Sequence, residues 1–440
     1  MAVNEHAIAA SEADYAFSAL TGFDQLYLAV SGGPDSLALL YLVAEWCARV
    51  GVSAPALNVV TVDHGLREES AAEAAMVTQH CAAFGLPHTT LRWGGAKPLS
   101  GIPNAARNAR YALLEEHARA TSGHSRAAVV TAHHQDDQAE TFFMRLARGG
   151  GVEALAAMPV DRSLIEGSPV RLIRPLLEFS KARLIATLSA RGVAWIDDPT
   201  NTNHKFERAR VRRALEASGL EPAALVTTVR RMQEARDGLS YANQQFRSTL
   251  AISYNGGVFG SLERPAFDAG PQILRRTILT EIISKFGGAT PKPEMSEIEA
   301  LVARIQAEKE ITATLGGAQI SAGELFVRIW REVGRIVEPE LKLTSRQRQI
   351  WDDRFWVGCT LDAGPTVSVR ALGQTGYETI SAYVPANLCL PAKAAYGLPA
   401  FWADATLFAV PQLAIDTGLF QSLGGLDLIS EPIFCDTAAH

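Results

Sequence analysis

The apolar run Leu26-Tyr27-Leu28-Ala29-Val30 leads directly into Ser31-Gly32-Gly33-Pro34-Asp35-Ser36, and a helical pattern opens at Asp35-Ser36-Leu37-Ala38-Leu39-Leu40. A short buried strand, a glycine-rich turn and a helix start, in that order, commit this stretch to an α/β unit. Two adjacent glycines permit positive φ and let backbone N–H groups approach a ligand closely. The new helix aims its unsatisfied N–H groups and the positive end of its dipole at the same place. That geometry binds phosphate. The loop is not a Walker A loop, because Gly-Lys-Ser/Thr is missing, and it is not a dinucleotide fingerprint, because no third glycine follows at GxGxxG spacing. A carboxylate at Asp35, beside phosphates, makes sense with Mg²⁺ lying between them.

The first 150 residues alternate strand and helix. Strands are predicted at 26–30, 57–62, 89–93 and 127–131, with a capping-box helix start at Ser70-Ala71-Ala72-Glu73 and a further helix over 104–117. β-Branched runs separated by helices mean a parallel sheet covered on both faces. Right-handed crossovers make it doubly wound, with ligands at the carboxyl ends of its strands. Residues 148–178 read as a Gly- and Pro-punctuated connection, 180–191 as a helix closed by Gly192, and 206–250 as mainly helical. A hairpin is expected at Gly316-Gly317, and short β-rich runs recur after Leu341. The expected domains are 1–215, an α/β part that carries the phosphate loop, 216–340, a mainly helical part, and 341–440, a small C-terminal α+β part.

A chain of 440 residues is too long for one ordinary domain. No apolar run is read as a membrane span, and Met1-Ala2-Val3-Asn4-Glu5-His6 does not resemble a signal peptide, so a cytoplasmic protein is expected. The five cysteines are scattered and never form CxxC, which argues against a zinc knuckle or an iron–sulfur cluster. The net charge of −6 does not favour nucleic acid, but binding depends on local patches rather than totals.

The strand ends carry the polar residues. Asp63-His64-Gly65-Leu66-Arg67 ends the second strand, where an adenine or ribose could lie, although in isolation a hydrogen-bonded strand-end histidine is the simpler account of His64. His133-His134-Gln135-Asp136-Asp137-Gln138-Ala139-Glu140-Thr141 ends the fourth. Its pairs His133/Asp137 and Asp136/Glu140 are spaced to share helix faces. Capping explains one or two acidic groups at a helix start. Five polar groups in eight positions ask for a divalent metal or an ammonium substrate. Arg107, Arg110 and Tyr111 lie near one face of a helix, as a solvated basic face or as phosphate contacts, and Arg145 and Arg148 continue the theme. The span 204–213 holds Lys205, Arg208, Arg210, Arg212 and Arg213, a cation density that suits a phosphate backbone.

Ser-Gly-Gly-x-Asp-Ser after a strand resembles the pyrophosphatase loop of enzymes that split ATP into AMP and pyrophosphate. Together with Val62 to Arg67, Ala106 to Tyr111, Ala132 to Thr141, Arg145 to Gly150, Arg174-Pro175-Leu176-Leu177, Asp198-Pro199-Thr200-Asn201 and Phe206 to Arg212, it resembles the tRNA(Ile)-lysidine synthetase family over about half the chain. The resemblance implies an adenine-nucleotide α-hydrolase-like fold. It also implies ATP-dependent attachment of L-lysine to carbon 2 of the wobble cytidine of an isoleucine tRNA with a CAU anticodon, through an adenylated tRNA. It assigns catalysis to Asp35, Arg110, Asp137 and Glu140, and ATP to Ser31, Gly32, Gly33, Pro34, Asp35, Ser36 and His64, with Mg²⁺ on Asp35. Lysine falls to His134, Asp137 and Glu140, and tRNA to Arg107, Arg148, Lys205, Arg208, Arg210 and Arg212. A homodimer is compatible with it. Ala209 and Ala154 depart from the family's usual Asn and Gly. The competing readings are tRNA thiolation, which commonly needs cysteines that are not suitably placed here, and a non-catalytic nucleotide-dependent tRNA-binding module.

Overall fold

The computed structural model describes residues 6–65, 70–95, 97, 101–165, 167–196, 207–288, 291–336, 340–344, 347–360, 367–385, 389–416 and 428–433. It divides into two compact units, Met1–Asp237 and Gly238–His440.

The first unit is built on strands β1 (Gln25–Ala29), β2 (Ala56–Asp63), β3 (His88–Arg92), β4 (Ala127–Val130), β5 (Asp161–Ser163) and β6 (Arg171–Ile173). Their order is β3-β2-β1-β4-β6-β5, with every neighbouring pair parallel except β5 and β6. Helices α1 (Ala10–Phe17), α2 (Pro34–Val50), α3 (Ser70–Ala83), α4 (Ile102–Ser122), α5 (Gln135–Ala147), α6 (Val152–Leu155), α7 (Lys181–Ser189) and α8 (Glu207–Ser218) surround the sheet, and α9 (Pro222–Thr249) runs on into the second unit. The chain steps outward from β1 to β2 to β3 and then returns to the other side of β1 with β4. This reversal opens a crevice at the carboxyl ends of β1 and β4.

Alternation along β1 decides which helices cover which face. Leu26 and Leu28 pack with Phe17, Leu37, Leu40, Val43 and Leu184, whereas Tyr27 packs with Tyr111, Leu114 and Ala118 of α4. Each fully buried Leu or Val side chain contributes about 1.5–3 kcal/mol. The stretch Pro34–Ser53 is apolar enough, at a mean hydropathy of 1.3, to pass for a membrane span by length and composition. Leu37 to Leu40, Leu42, Val43 and Trp46 are instead taken up by this core, while Val52 at the end of the stretch is exposed.

The four strands expected from sequence form within a residue or so of their places. The connection over 148–178 is more structured than expected, because it holds α6 and the two edge strands β5 and β6.

In the second unit, β7 (Gly260–Glu263), α10 (Arg264–Ala269), α11 (Gln272–Phe286), α12 (Met295–Ala307), β8 (Ile311–Leu315), β9 (Ala318–Ala322) and β10 (Phe326–Arg331) form an antiparallel sheet of order β7-β10-β9-β8 packed on α11 and α12. The β8–β9 hairpin turns at Gly316 and Gly317, both at positive φ. Beyond it lie β11 (Glu340–Lys342), β12 (Gln349–Trp351), β13 (Phe355–Cys359), β14 (Val367–Ala371), α13 (Gly373–Ile380), α14 (Ala392–Ala395), β15 (Pro399–Ala403), β16 (Thr406–Val410), β17 (Ile415–Asp416) and β18 (Leu428–Pro432). They make two antiparallel sheets, β11-β14-β15-β16-β17 and β12-β13-β18. Their core also takes in Val258, Phe259 and Trp330 from earlier in the unit. Between the two parts Asp352 pairs with Arg331 at 2.6 Å and Arg354 at 2.8 Å, all three with fully buried side chains.

Candidate active site

The loop after β1 closes on itself. Ser36 Oγ donates to the Gly33 carbonyl at 3.0 Å and accepts from the Ser31 N–H at 3.1 Å. Only Gly32 uses the left-handed region, at φ +85°. Gly33 is extended at φ −74° and caps α2, with Pro34 in the first turn. The expectation that both glycines supply positive φ is therefore corrected. Gly33 contributes open space, since a Cβ there would approach only Ser31 Oγ, at 3.9 Å.

Asp35 lies in the first turn of α2. Its Oδ2 is 3.6 Å from His134 Nε2 and 3.9 Å from Lys181 Nζ. Its Oδ1 is buried without a hydrogen-bond partner. Sequence reasoning missed Lys181, which arrives from the start of α7. There the Lys181 N–H donates to Asp136 Oδ2 at 2.8 Å.

His134 is the N-cap of α5, and its backbone N–H donates to Asp137 Oδ2 at 3.1 Å. Its ring is 3% exposed and sits among three carboxylates: Asp136 at 3.4 Å, Asp137 at 3.5 Å and Asp35 at 3.6 Å. Burial opposes its charge, but Asp136, Asp35 and Asp137 outweigh that and lift its pKa to about 10. His134 is therefore a buried cation joining the phosphate loop to the head of α5. His133 precedes the helix, so it does not share a helical face with Asp137 as its spacing suggested. Its Nδ1 meets Thr131 Oγ1 at 2.9 Å, and burial holds it neutral.

On α5, burial resists the charge of Asp137, yet His134, His133 and Arg208 hold its carboxyl below the ordinary range. Glu140 behaves oppositely. Burial raises its pKa, and Arg212 only partly offsets this. Glu140 Oε1 accepts from Arg212 Nε and Nη2 at 2.9 and 2.7 Å, while Oε2 is buried without a hydrogen-bond partner. Arg208 Nη1 reaches Asp137 Oδ1 at 3.4 Å. The shared Arg208/Arg212 face of α8 is thus turned onto the carboxylates of α5.

The other expected residues fall in three places. His64, at the end of β2, meets Arg110 Nη2 at 3.1 Å. Its burial, then the charge of Arg110, lowers its pKa to about 4. Arg107 lies one turn earlier on α4, its guanidinium 5.1 Å from the Tyr111 ring centre. Arg148 pairs with Glu207, and Arg210 is exposed on α8. Lys205 lies outside the described residues, as do Leu66, Arg67 and Asp198-Pro199-Thr200-Asn201. Ala154 fits closely. A Cβ at Gly150 would come within 2.8 Å of the Ala154 Cβ, and the Ala154 carbonyl accepts from Arg145 Nη1 at 2.7 Å. Cys47 and Cys81 sit within α2 and α3 as free thiols, and burial pushes both up to about 11. They do not form the reactive thiolates that thiolation chemistry calls for.

The adjoining ends of β1 and β4 therefore bring together an anion-binding loop, an unpartnered carboxylate oxygen and an acidic pair already in contact with cations. A model of the PP-loop domain family matches residues 6–218. A tRNA(Ile)-lysidine synthase from Bradyrhizobium sp. is 42% identical to this chain, over 73% of it and 94% of the relative. One from Rhodopseudomonas palustris is 41% identical over 72% and 93%, and one from Ruegeria pomeroyi 36% over 90% of both. The chain belongs to the tRNA(Ile)-lysidine synthase family. Membership makes it an ATP-dependent ligase with a PP-loop, and neither thiolation nor a non-catalytic role is favoured. The Ruegeria relative aligns with residues of both units, since its match spans nine-tenths of the chain.

Proposed function

We propose that this protein joins free L-lysine to carbon 2 of the wobble cytidine of an isoleucine tRNA with a CAU anticodon, in the cytoplasm. ATP first adenylates the carbon-2 oxygen and pyrophosphate leaves. The lysine amine then attacks carbon 2, the carbon–oxygen bond breaks, and the oxygen departs with AMP. The observation that carries this reading, beside family membership, is the phosphate loop and the Asp137/Glu140 pair at adjacent strand ends, joined by the charged ring of His134.

In this reading Ser31 to Ser36 hold the ATP phosphates on backbone N–H groups and on the start of α2. His64, kept neutral, and Arg110 stand on the nucleoside side. The buried, unpartnered Asp35 Oδ1 would suit a hard divalent cation such as Mg²⁺. When bound there, Mg²⁺ neutralises charge on the departing pyrophosphate. Asp137 and His134 orient the lysine. Glu140, whose burial makes its carboxylate a stronger base, takes a proton at Oε2 from the lysine ammonium and frees the amine to attack. Arg107, Arg148, Lys205, Arg208, Arg210 and Arg212 contact tRNA phosphates, and residues from about 341 onward choose the tRNA without taking part in chemistry. A homodimer is compatible with this scheme, at about twice the mass of the chain in sedimentation.

The deciding assay is incorporation of labelled lysine into tRNA(Ile), with and without ATP. Lysine should appear in the RNA only with ATP, together with equimolar AMP. ATP-dependent incorporation of sulfur, or no incorporation at all, would sink the reading.

A further inference from the structure

Beyond the acidic pair, at the carboxyl end of β6, lies a cluster of opposite sign. Arg174, the first residue after β6, is 2% exposed. It donates from Nη1 to the Pro159 carbonyl at 2.9 Å, and its Nε is buried without a hydrogen-bond partner. It also lies near Tyr111, a buried side chain of α4, and its charge helps to lower that phenol's pKa. The guanidinium carbons of Arg107 and Arg162 stand 5.1 and 5.6 Å from the Tyr111 ring centre. Arg174 forms the floor, Arg162 on edge strand β5 a half-buried wall, and Arg107 the exposed rim. Among the described residues, no carboxylate pairs with any of the three. Burial resists ionisation of Tyr111, yet Arg107, Arg174 and Arg162 together pull its pKa below the ordinary phenol range, which marks the strength of the positive potential.

Buried cations without counter-charge are costly, and an anionic ligand supplies what the fold omits. The phosphates of ATP belong to the loop after β1. In the sheet, β4 stands between the strand that carries this loop and β6, which carries Arg174. Free lysine carries two ammonium groups and a net positive charge, which three guanidiniums repel. A phosphodiester carries one negative charge on two oxygens, the geometry a guanidinium fork matches. The exposed rim at Arg107 lets a polymer pass. We propose that Arg107, Arg162 and Arg174, gathered round Tyr111, hold the backbone phosphate beside the nucleotide being modified. Arg162, Arg174 and Tyr111 thereby join the RNA-binding surface. The proposal rests on RNA being the acceptor, as inferred above.

The test uses anticodon stem-loops carrying one neutral methylphosphonate, either 5′ or 3′ of the target cytidine, with the full-length wild type, Arg162→Gln and Arg107→Gln. Wild type should bind one of the two neutral stem-loops about tenfold more weakly than the charged RNA. Each variant should show a similar loss on the charged RNA, with a salt slope shallower by about 0.7, and no added loss on the neutral RNA. ATP affinity should stay at the wild-type value. Additive losses, or unchanged affinity and slope in both folded variants, overturn the proposal. A raised KM for lysine with RNA affinity unchanged also overturns it, in favour of the amino-acid carboxylate. Wild type that binds the stem-loop with this phosphate dependence but transfers no lysine would overturn the ligase reading and leave the phosphate site standing.

Discussion

Asp35 carries its two oxygens in different surroundings, one facing His134 and Lys181, the other buried and unpartnered. Asp35→Ala should abolish ATP-dependent pyrophosphate release while leaving the melting temperature close to wild type. Near-normal turnover by the folded variant would remove Asp35 from the chemistry. Asp137→Asn and Glu140→Gln should raise the KM for lysine far more than they weaken tRNA binding. Unchanged lysine kinetics in both would reduce the cluster to a helix cap. His134 adds a pH signature. Its pKa of about 10 in the folded chain exceeds the ordinary imidazole value of 6.5, so the stability it contributes is complete below 6.5 and fades as pH rises toward 10. Denaturant unfolding of wild type from pH 6.5 to 10 should show this decline, and His134→Gln should flatten it. Equal slopes in both proteins would rule out a buried imidazolium.

Helix α8 meets two demands, because two of the arginines expected on tRNA also pair with Asp137 and Glu140. The Arg208→Gln/Arg212→Gln double variant should lower tRNA affinity and reduce the salt slope by about one unit per lost phosphate contact. An unchanged slope would leave these arginines as partners of α5 alone. That double role was not legible in the sequence. Spacing showed that Arg208 and Arg212 share a face, but not that the face meets carboxylates on another helix. The same limit hid the approach of Lys181 to Asp35, since nothing local marks a contact between two distant helix starts. The β1–α2 loop was legible because apolar run, glycines and helix start are contiguous. β5 and β6 were missed because each has three residues, with Arg162 and Arg171 among them, too short and too charged for an alternation to register. His133 was placed one residue too far into its helix, since spacing alone cannot say that His134 is the cap.

Across the whole molecule, the residues assigned to ATP all lie in the first unit. A chain ending near Glu338 should therefore keep ATP binding while losing tRNA affinity or discrimination. It should also unsettle what remains of the second unit. Val258, Phe259 and Trp330 would lose the core they share with the later strands, and Arg331 would lose Asp352, at a cost of about 3–5 kcal/mol for the broken buried pair. Calorimetry should show the second transition weakened or missing while the first persists. Loss of ATP binding in a soluble truncation would instead show that the tail completes the active site. The core helix α2 has a consequence that concerns the unfolded chain. Once the sheet is gone, Pro34–Ser53 is a segment of lipid-like hydropathy open to any apolar surface, including the same segment of another chain. Recovery from denaturant should therefore fall steeply as protein concentration rises. Replacing solvent-facing positions of this segment with charge should restore it, because the race between self-burial and mutual adhesion is decided before the phosphate loop exists.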